Sequence, residues 1–369
     1  MNPTGGPILI IARAPVRISF GGGGTDIPAY YERHGGFVVS ATINYYVYTI
    51  LSPGPPDEVQ IFSADYRSFT QRPICEDLIW NGDLSLPKAI VYYFNIRDGL
   101  TVFLASQVPP GTGLGSSGSV AVSMIKALAF WCGLDLGPKE VAELACFIEI
   151  HKLGMPVGKQ DQYAAAFGGL NCFTFLRDDV RVEPLRMPPQ ARQELERGLM
   201  LFFTGISRQS STILKRQQEA SRKGDRETIR RLTAIKELGQ EIRRALENGD
   251  LWTFGELLHR SWLEKRRVAE GITNPELDRC YEVAREAGAL GGKVTGAGGG
   301  GFLMLFCPPA HQDAVTEALT ALGLHRRPFA FEDEGVQIMQ GIPWTRSSPR
   351  YPFGVLPQPV DAGSEGFLA

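Results

Sequence analysis

Cysteine and histidine are scarce in this sequence, and neither occurs in a pattern that would hold a metal ion or a disulfide framework. The six cysteines of the 369-residue chain include no Cys-x-x-Cys pair, and several lie in apolar runs, where a thiol packs as a small hydrophobe. The five histidines also lack metal-ligand spacing. The sequence therefore indicates a reducing compartment and argues against both a zinc site and a disulfide scaffold.

An excess of charge of one sign and long apolar runs are missing as well. The formal net charge is −2, which argues against a strongly basic nucleic-acid-binding protein. The first residues, MNPTGGPILIIARAP, carry no charged leader, and their apolar run of five residues is too short for a signal peptide or a membrane span. We therefore expect a cytoplasmic protein that binds neither nucleic acid nor a membrane, and leave assembly into a homodimer open.

Glycine, by contrast, is abundant, and many of the 42 glycines fall in three loops. These loops read SFGGGGTD at 19–26, PPGTGLGSSGSV at 109–120 and KVTGAGGGGF at 293–302. One such loop by itself would be explained as an ordinary turn. After the second loop, Ser116 is expected to cap a helix whose first amides lack intrahelical partners and therefore favour an anion. Together the three loops predict a cleft where a polyphosphate and a polyol lie against bare backbone.

The rest of the pattern predicts an α+β fold in two parts. The predicted strands are 8–20, 36–51, 57–72, 99–107, 169–175 and 180–185, and the predicted helices are 27–34, 116–131, 138–152 and 159–167. Beyond Pro188-Pro189 we expect mostly helix from 207 to 266, helices at 275–288 and 309–321, and strands at 324–331 and 335–340. The predicted domains are 1–187 and 188–342, with 343–369 as a poorly ordered tail.

Three carboxylates are candidates for function, although each also has a structural interpretation. Asp161 stands in the first turn of a predicted helix, where it could complement the helix dipole. Asp26 precedes a helix start and could be an N-cap. Glu149 is near a helix C-terminus, where it is either a partly exposed surface residue or an acid whose unfavourable position a bound cation relieves. The residues alone leave both interpretations open.

The second loop also satisfies the Gly-x-Gly-x-x-Gly pattern of dinucleotide-binding dehydrogenases. Gly113, Gly115 and Gly118 match the pattern, and Asp135 lies about twenty residues further on. However, the two prolines at 109–110 interrupt the strand that should enter the first glycine, and Asp135 lies in a predicted loop. A Walker A pattern is absent too. The dehydrogenase interpretation is therefore the weaker one.

Three segments in this order, APVRISFGGGGTD, PPGTGLGSSGSV and KVTGAGGGGF, resemble the three motifs of the GHMP superfamily of small-molecule kinases. The resemblance extends over about residues 10–340. It implies the GHMP kinase fold, with an N-terminal half like ribosomal protein S5 domain 2 and a C-terminal ferredoxin-like half. It also implies ATP and Mg²⁺, bound in the cleft between the two halves.

The resemblance implies roles for individual residues. Asp161 matches the catalytic aspartate, and Arg17 or Lys159 would stabilise charge on the transferred phosphoryl group. Ser117 and Glu149 match the Mg²⁺ ligands. The residues that match the ATP-binding loops are Pro110, Gly111, Thr112, Gly113, Leu114, Gly115, Ser116, Ser117, Gly296, Gly298 and Gly299.

The substrate side of the site is implied in the same way. Gly23, Gly24, Thr25 and Asp26 match the sugar-binding segment. A phosphorylated sugar also needs a second basic pocket, for which Arg13, Arg208 and Lys215 are candidates because cationic side chains bind phosphate.

Details of the motifs narrow the resemblance to one branch. Galactokinases have a Glu-His pair where this sequence has Gly23 and Gly24, which argues against galactose. GGGGTD, SADY at 63–66, GKQDQYAAAFGGLN and TGISRQSSTIL resemble the heptose 7-phosphate kinases and, less closely, the fucokinases. This branch implies phosphorylation of an anomeric hydroxyl, to heptose 1,7-bisphosphate for nucleotide-activated heptose and surface polysaccharide. The alternatives are a kinase for another sugar such as fucose and an inactive sugar-binding regulator.

Overall fold

The computed structural model describes residues 8–65, 68–73, 84–96, 99–205 and 210–343. The predicted tail at 343–369 lies outside these residues except for Pro343. Within the described part of the chain, no helix combines the length and the apolar character needed to cross a membrane.

The N-terminal half alternates long strands with short helices. Its elements are β1 (Ile8–Gly21), α1 (Pro28–His34), β2 (Gly36–Pro53), β3 (Glu58–Ser63), β4 (Ser68–Pro73), α2 (Ser85–Tyr93), β5 (Leu100–Ser106), α3 (Ser116–Trp131), α4 (Pro138–Cys146), a π-helical turn (Phe147–Lys152), α5 (Gln160–Phe167), β6 (Leu170–Phe175) and β7 (Val180–Pro184).

The C-terminal half is richer in helix. Its elements are α6 (Pro189–Gly198), β8 (Leu199–Phe203), α7 (Ser210–Arg222), α8 (Arg226–Glu247), α9 (Leu251–Lys265), α10 (Pro275–Glu286), β9 (Gly291–Val294), β10 (Phe302–Phe306), α11 (Gln312–Ala321), β11 (His325–Arg327) and β12 (Gln337–Pro343).

Two sheets organise the described residues. The larger has the order β12-β1-β2-β5-β3-β4, with β6 on β2 and β7 on β6, and the smaller has the order β11-β8-β10-β9. All pairs are antiparallel except β3 with β5. Because β12 pairs with β1, residues 337–343 belong to the first sheet, although the sequence assigned 188–342 to the second domain. The predicted domain boundary stays a prediction, but this last strand crosses it.

Most predicted elements lie where the sequence places them, with a few differences. The helix expected at 138–152 divides into α4 and the π-helical turn. The strand expected at 324–331 shortens to β11. The sequence pattern does not predict α2, α6 or β8, since a short apolar run such as LMLFF in β8 has no periodicity that separates a strand from a helix.

A β-bulge in β1 decides which way Arg17 points. The even-numbered residues of 10–14 pack in the core beneath α3, whereas the even-numbered residues of 16–20 pack in the core on the opposite face of the sheet. The register with β2 shifts between Pro15 and Val16. Because side chains alternate along a strand, this shift turns Arg17 onto the face that carries α3 and α5.

An apolar layer joins the first sheet to the C-terminal half. Phe254 on α9 contacts Phe20 of β1 edge to face, with ring centres 5.5 Å apart, and also Phe306 of β10 at 5.2 Å. Residues of α8, such as Ile242, fill the same layer. The two halves are thereby held together, and loops from both of them line one cleft.

Candidate active site

The second and third glycine loops touch each other. An added Cβ at Gly296 would stand 2.4 Å from the Cα of Gly113, and one at Gly113 would stand 2.5 Å from the carbonyl oxygen of Thr295. Both glycines have a positive φ, +63° at Gly296 and +80° at Gly113. Only glycine fits a left-handed backbone this close to another one. The two loops therefore meet, as the sequence predicts.

The start of α3 opens onto the cleft with its backbone amides. Gly115 is the N-cap, with a φ of +82° and no side-chain cap, so Ser116 is the first helical residue and not the expected cap. Ser119 donates the first helical bond, to the carbonyl of Gly115 at 3.1 Å, so the amides of 116–118 precede the helical ladder. Ser116 and Ser117 line the cleft. Such a helix start favours an anion.

Asp161 and Arg17 form an ion pair beside this helix start. Nη2 of Arg17 lies 2.6 Å from Oδ1 of Asp161, and Nη1 donates to the carbonyl of Gly113 at 2.7 Å. An added Cβ at Gly115 would stand 3.1 Å from the carboxyl carbon of Asp161. The Asp161 side chain is 28% exposed and that of Arg17 only 3%, so the carboxylate is the more open partner of the pair in the cleft. An acid and a cation therefore lie together next to the second loop.

Glu149 is buried beneath the same helix start. Its Oε1 accepts a hydrogen bond from the Ser117 hydroxyl at 2.9 Å, and its Oε2 accepts one from Nε2 of Gln162 at 2.6 Å. Burial raises the pKa of Glu149 to about 7, against the opposing effect of these two donors. The interpretation of Glu149 as a surface residue is wrong, because its side chain, in the π-helical turn, is fully buried.

Glu149 and Ser117 fit a Mg²⁺ ion that arrives with a nucleotide. Within the described residues, no group of three or more His, Cys, Asp or Glu side chains could hold a metal by itself. Mg²⁺ commonly takes only one or two protein carboxylates and completes its shell with phosphate oxygens and water. A buried carboxylate bonded to a hydroxyl at the start of α3 offers oxygen donors of the kind that this part of the shell needs.

The first glycine loop contributes Asp26 to the cleft. Oδ1 of Asp26 accepts from the amide of Gly24 at 3.0 Å, and its two oxygens accept from the amide and the side chain of Gln160 at 3.2 Å each. Ile27 is the N-cap of α1 and no side chain caps that helix, so the N-cap interpretation of Asp26 is wrong. Burial, and then the charge of Asp161, raise the pKa of Asp26.

Thr25 supports this loop from behind. Its hydroxyl donates to the carbonyl of Gly22 at 2.8 Å and accepts from the amide of Phe37 at 3.0 Å. The residue is fully buried, whereas Gly23 and Gly24 line the cleft. Thr25 therefore holds the loop in shape, and its contact with the substrate stays a prediction.

Two of the three basic candidates for binding the phosphate of the sugar do not line the cleft. The Arg13 guanidinium lies 4.6 Å from the centre of the Tyr46 ring and 4.0 Å from the Glu332 carboxylate, and its part in binding a phosphate stays a prediction. The bulge after Arg13 explains its separation from the cleft, because it turns only the later part of β1. Lys215 is exposed and lines a separate groove beside α1. Arg208 lies outside the described residues.

Several predicted loop residues hold the loops in shape. Leu114 is buried in the core, and the Thr112 hydroxyl donates to the carbonyl of Pro109 at 2.8 Å. The amide of Gly299 donates to the carbonyl of Ile272 at 2.8 Å. Contacts with ATP stay predictions for these residues, as they do for Pro110, Gly111 and Gly298.

Lys159 turns toward an aromatic ring. Its Nζ lies 5.0 Å from the centre of the Tyr31 ring. Its backbone amide donates to the carbonyl of Asp26 at 3.2 Å. Its part in stabilising charge on the phosphoryl group stays a prediction.

Two buried lysines at the cleft escape the sequence analysis. Lys265, the last residue of α9, lines the cleft, and its Nζ donates to the carbonyl of Gly296 at 2.5 Å. Nζ of Lys293 lies 3.9 Å from the position of an added Cβ on Gly23. Burial lowers the pKa of both, that of Lys265 to about 8. Lys293 opens the third motif and could have been found there, whereas Lys265 lies in the charged stretch WLEKRR, which gives no signal.

A protein that binds a polyphosphate by its main chain and holds a carboxylate next to it has the parts of a phosphotransferase. Models of two parts of one family match the chain: "GHMP kinases N terminal domain" at residues 85–169 and "GHMP kinases C terminal" at 242–324. The chain belongs to the GHMP kinase family, whose members are phosphotransferases that use ATP. The predicted family, the α+β fold and the enzyme class are confirmed, and the dehydrogenase interpretation is wrong.

Relatives and solved structures cover nearly the whole chain. The heptose 7-phosphate kinase of Campylobacter jejuni is 35% identical over 335 residues, which is 89% of this chain and 98% of the relative. The crystal structure of a D-glycero-D-manno-heptose 1-phosphate kinase from Bacteroides thetaiotaomicron has a TM-score of 0.73 at 32% identity, over 89% of this chain and 98% of that one. The L-fucokinase/L-fucose-1-P guanylyltransferase of Bacteroides fragilis is 25% identical over 333 residues, 80% of this chain and 34% of that relative.

Proposed function

We propose that this protein transfers the γ-phosphoryl group of ATP to the anomeric hydroxyl of D-glycero-D-manno-heptose 7-phosphate, giving heptose 1,7-bisphosphate. The observation that carries the proposal is the Asp161–Arg17 ion pair, which lies against the phosphate-binding loop in the cleft that Asp26 also lines. The names of the Campylobacter jejuni and Bacteroides thetaiotaomicron relatives support a heptose phosphate as substrate. The product would serve nucleotide-activated heptose and surface polysaccharide in the cytoplasm.

We assign a role in this reaction to the amides at the start of α3 and to three side chains of the cleft. The amides of 116–118 hold the β-phosphate, and Asp26 binds sugar hydroxyls. Asp161 orients the anomeric hydroxyl and accepts its proton, while Arg17 fixes the Asp161 carboxylate and offsets charge on the phosphoryl group. Phosphoryl transfer depends mainly on such positioning and charge neutralisation.

Glu149 and Ser117 would hold Mg²⁺ in this protein. When bound, the ion neutralises charge on the nucleotide phosphates. The buried Glu149 carboxyl must be ionised to serve as a ligand, and a cation next to it favours that form.

A kinase for a free sugar such as fucose is the second candidate. The observation in its favour is that Arg13 and Lys215, the described candidates for a second phosphate pocket, do not line the cleft. An inactive regulator is less well supported, because Ser117, Glu149 and Asp161 are all present and close to one another.

An ADP-release assay separates these functions. The full chain is incubated with Mg²⁺–ATP and, in turn, heptose 7-phosphate, free heptose, fucose and galactose, and NMR of the product locates the new phosphate. We expect fastest release with heptose 7-phosphate and a phosphate on the anomeric carbon. A preference for fucose would establish the second candidate, and no release above that of an Asp161→Asn control with any sugar would establish a regulator.

A further inference from the structure

Two cations reach the junction of the second and third loops from opposite halves of the molecule. Arg17, on β1, donates to the carbonyl of Gly113 at 2.7 Å. Lys265, on α9, donates to the carbonyl of Gly296 at 2.5 Å. Because Gly113 and Gly296 are in backbone contact, the two charged groups flank one point of the cleft. Asp161 lies at that point too, paired with Arg17.

Two lysines, Lys265 and Lys293, are buried at this point, and burial lowers the pKa of each. Arg17 is paired there with Asp161. Lys265 is 8% exposed and Lys293 is 2% exposed. Among the residues that the structure describes, neither lysine has a carboxylate oxygen within 4.0 Å. Burying a cation without an anionic partner is costly, so an anionic ligand that enters the cleft would compensate for it.

We propose that Lys265 is a further catalytic residue, whose ammonium group binds an oxygen of the phosphoryl group in transit, across from Arg17. The proposal rests on the proposed kinase function. In the step, the anomeric oxygen forms a bond to the γ-phosphorus as the bond from that phosphorus to the β–γ bridging oxygen breaks. ADP leaves with the electron pair of the broken bond, and the hydroxyl proton passes to Asp161. Lys265 changes no bond and keeps its protons, and its charge acts on the phosphoryl oxygens.

The electrostatic surroundings of Lys265 support this assignment. Burial, and then the charge of Arg17, lower its pKa to about 8, while Asp26 and Asp161 act in the opposite direction. The charge of Lys265 in turn helps to lower the pKa of Lys293, on the adjacent strand β9, where burial is the larger cause. A phosphoryl group bound at this point favours the ammonium form, so the ligand and the charged lysine stabilise each other.

The test compares the affinities of two nucleotides for the full-length Lys265→Met variant. Calorimetry with Mg²⁺–AMPPNP, which has a γ-phosphoryl group, and with Mg²⁺–ADP, which lacks one, measures the affinity of each. We expect binding of AMPPNP to weaken by about tenfold or more, since a hydrogen bond to a charged group is lost, and ADP affinity to stay unchanged. Equal losses for both nucleotides, or no loss for AMPPNP, would overturn the proposal.

Turnover measurements give an independent readout. We expect kcat of Lys265→Met to fall on the order of 10²-fold with little change in the KM for the sugar, as for other donors that act on developing charge. Lys265→Arg should recover part of this loss because it keeps the positive charge. No recovery with Lys265→Arg would overturn the proposal. Lys126→Met is the matched control, since Lys126 also donates to a backbone carbonyl, that of Leu136 at 2.6 Å, but lies outside the cleft.

A second substrate separates the two phosphates that Lys265 could bind. If Lys265 binds the transferred group, Lys265→Met lowers the rates of phosphorylation of free heptose and of heptose 7-phosphate by the same factor. A loss confined to heptose 7-phosphate would assign Lys265 to the phosphate of the sugar and overturn the proposal. If the wild-type protein phosphorylates neither sugar, the proposed function fails, but the comparison of AMPPNP with ADP still decides the role of Lys265 because it needs no sugar.

Discussion

The contact between the two ATP loops can be tested with one added methyl group, in the Gly113→Ala variant. The new Cβ would stand 2.5 Å from the carbonyl oxygen of Thr295 and 2.8 Å from its carbonyl carbon, with φ at +80°. Both neighbours are backbone atoms, so no side chain can rotate away to make room. The third loop must shift, and with it the neighbouring Gly296.

The magnitude has two parts, which a control variant separates. A left-handed conformation costs an L-residue about 1 to 2 kcal/mol, and overpacking adds about 1 to 3 kcal/mol. Gly133, after α3, has a similar φ of +72° but nothing within 4 Å of an added Cβ. Gly133→Ala therefore has only the first cost. The difference between the two variants, about 1 to 3 kcal/mol, measures the contact of the loops.

The assay combines unfolding with nucleotide binding. Denaturant unfolding of both variants and the wild type gives the difference in the free energy of unfolding, and calorimetry gives the affinity for Mg²⁺–ATP. We expect Gly113→Ala to lose about tenfold or more in ATP affinity, as for one lost hydrogen bond to a charged group, and Gly133→Ala to bind normally. If the two variants are equally stable and bind ATP equally well, the loops are not held against each other and the reasoning fails.

Three further outcomes are expected. Asp161→Asn should lower kcat by about 10²-fold or more in the ADP-release assay because it removes the proton acceptor, and an unchanged kcat would remove Asp161 from the mechanism. Glu149→Gln should raise the Mg²⁺ concentration needed for half-maximal rate, and an unaltered Mg²⁺ titration would contradict its assignment as a ligand. Lys265→Met should stabilise the ligand-free protein by up to about 3 kcal/mol below pH 8, since the pKa of Lys265 is about 8 when folded and 10.5 when free. That advantage should shrink as pH rises from 8 to 10.5, where the unfolded chain also loses the proton, and an advantage independent of pH would disprove the link to Lys265.

The positions of the glycine loops and of the start of α3 follow from residues that are close together in the chain. Positive φ values at Gly111, Gly113 and Gly115 need glycine, and the sequence supplies glycine at each of them. The apolar run that follows forms α3 over the predicted range, 116–131. Such features depend on backbone freedom and on neighbours a few residues away. Asp161 lies in the first turn of α5 as expected, whereas its catalytic role was implied by the match to the family's motif.

Contacts between distant residues decided the rest. Arg13 and Arg17 look equivalent on one strand, yet the bulge after Pro15 turns Arg17 toward Asp161 and leaves Arg13 with Glu332. The fold buried Glu149, which lies in a π-helical turn, and it brought Lys265 beneath the third loop. Burial and the direction of a side chain depend on which strand or helix packs opposite. The sequence therefore determined where the backbone could take up a ligand, and only the tertiary structure determined which charged side chains surround it.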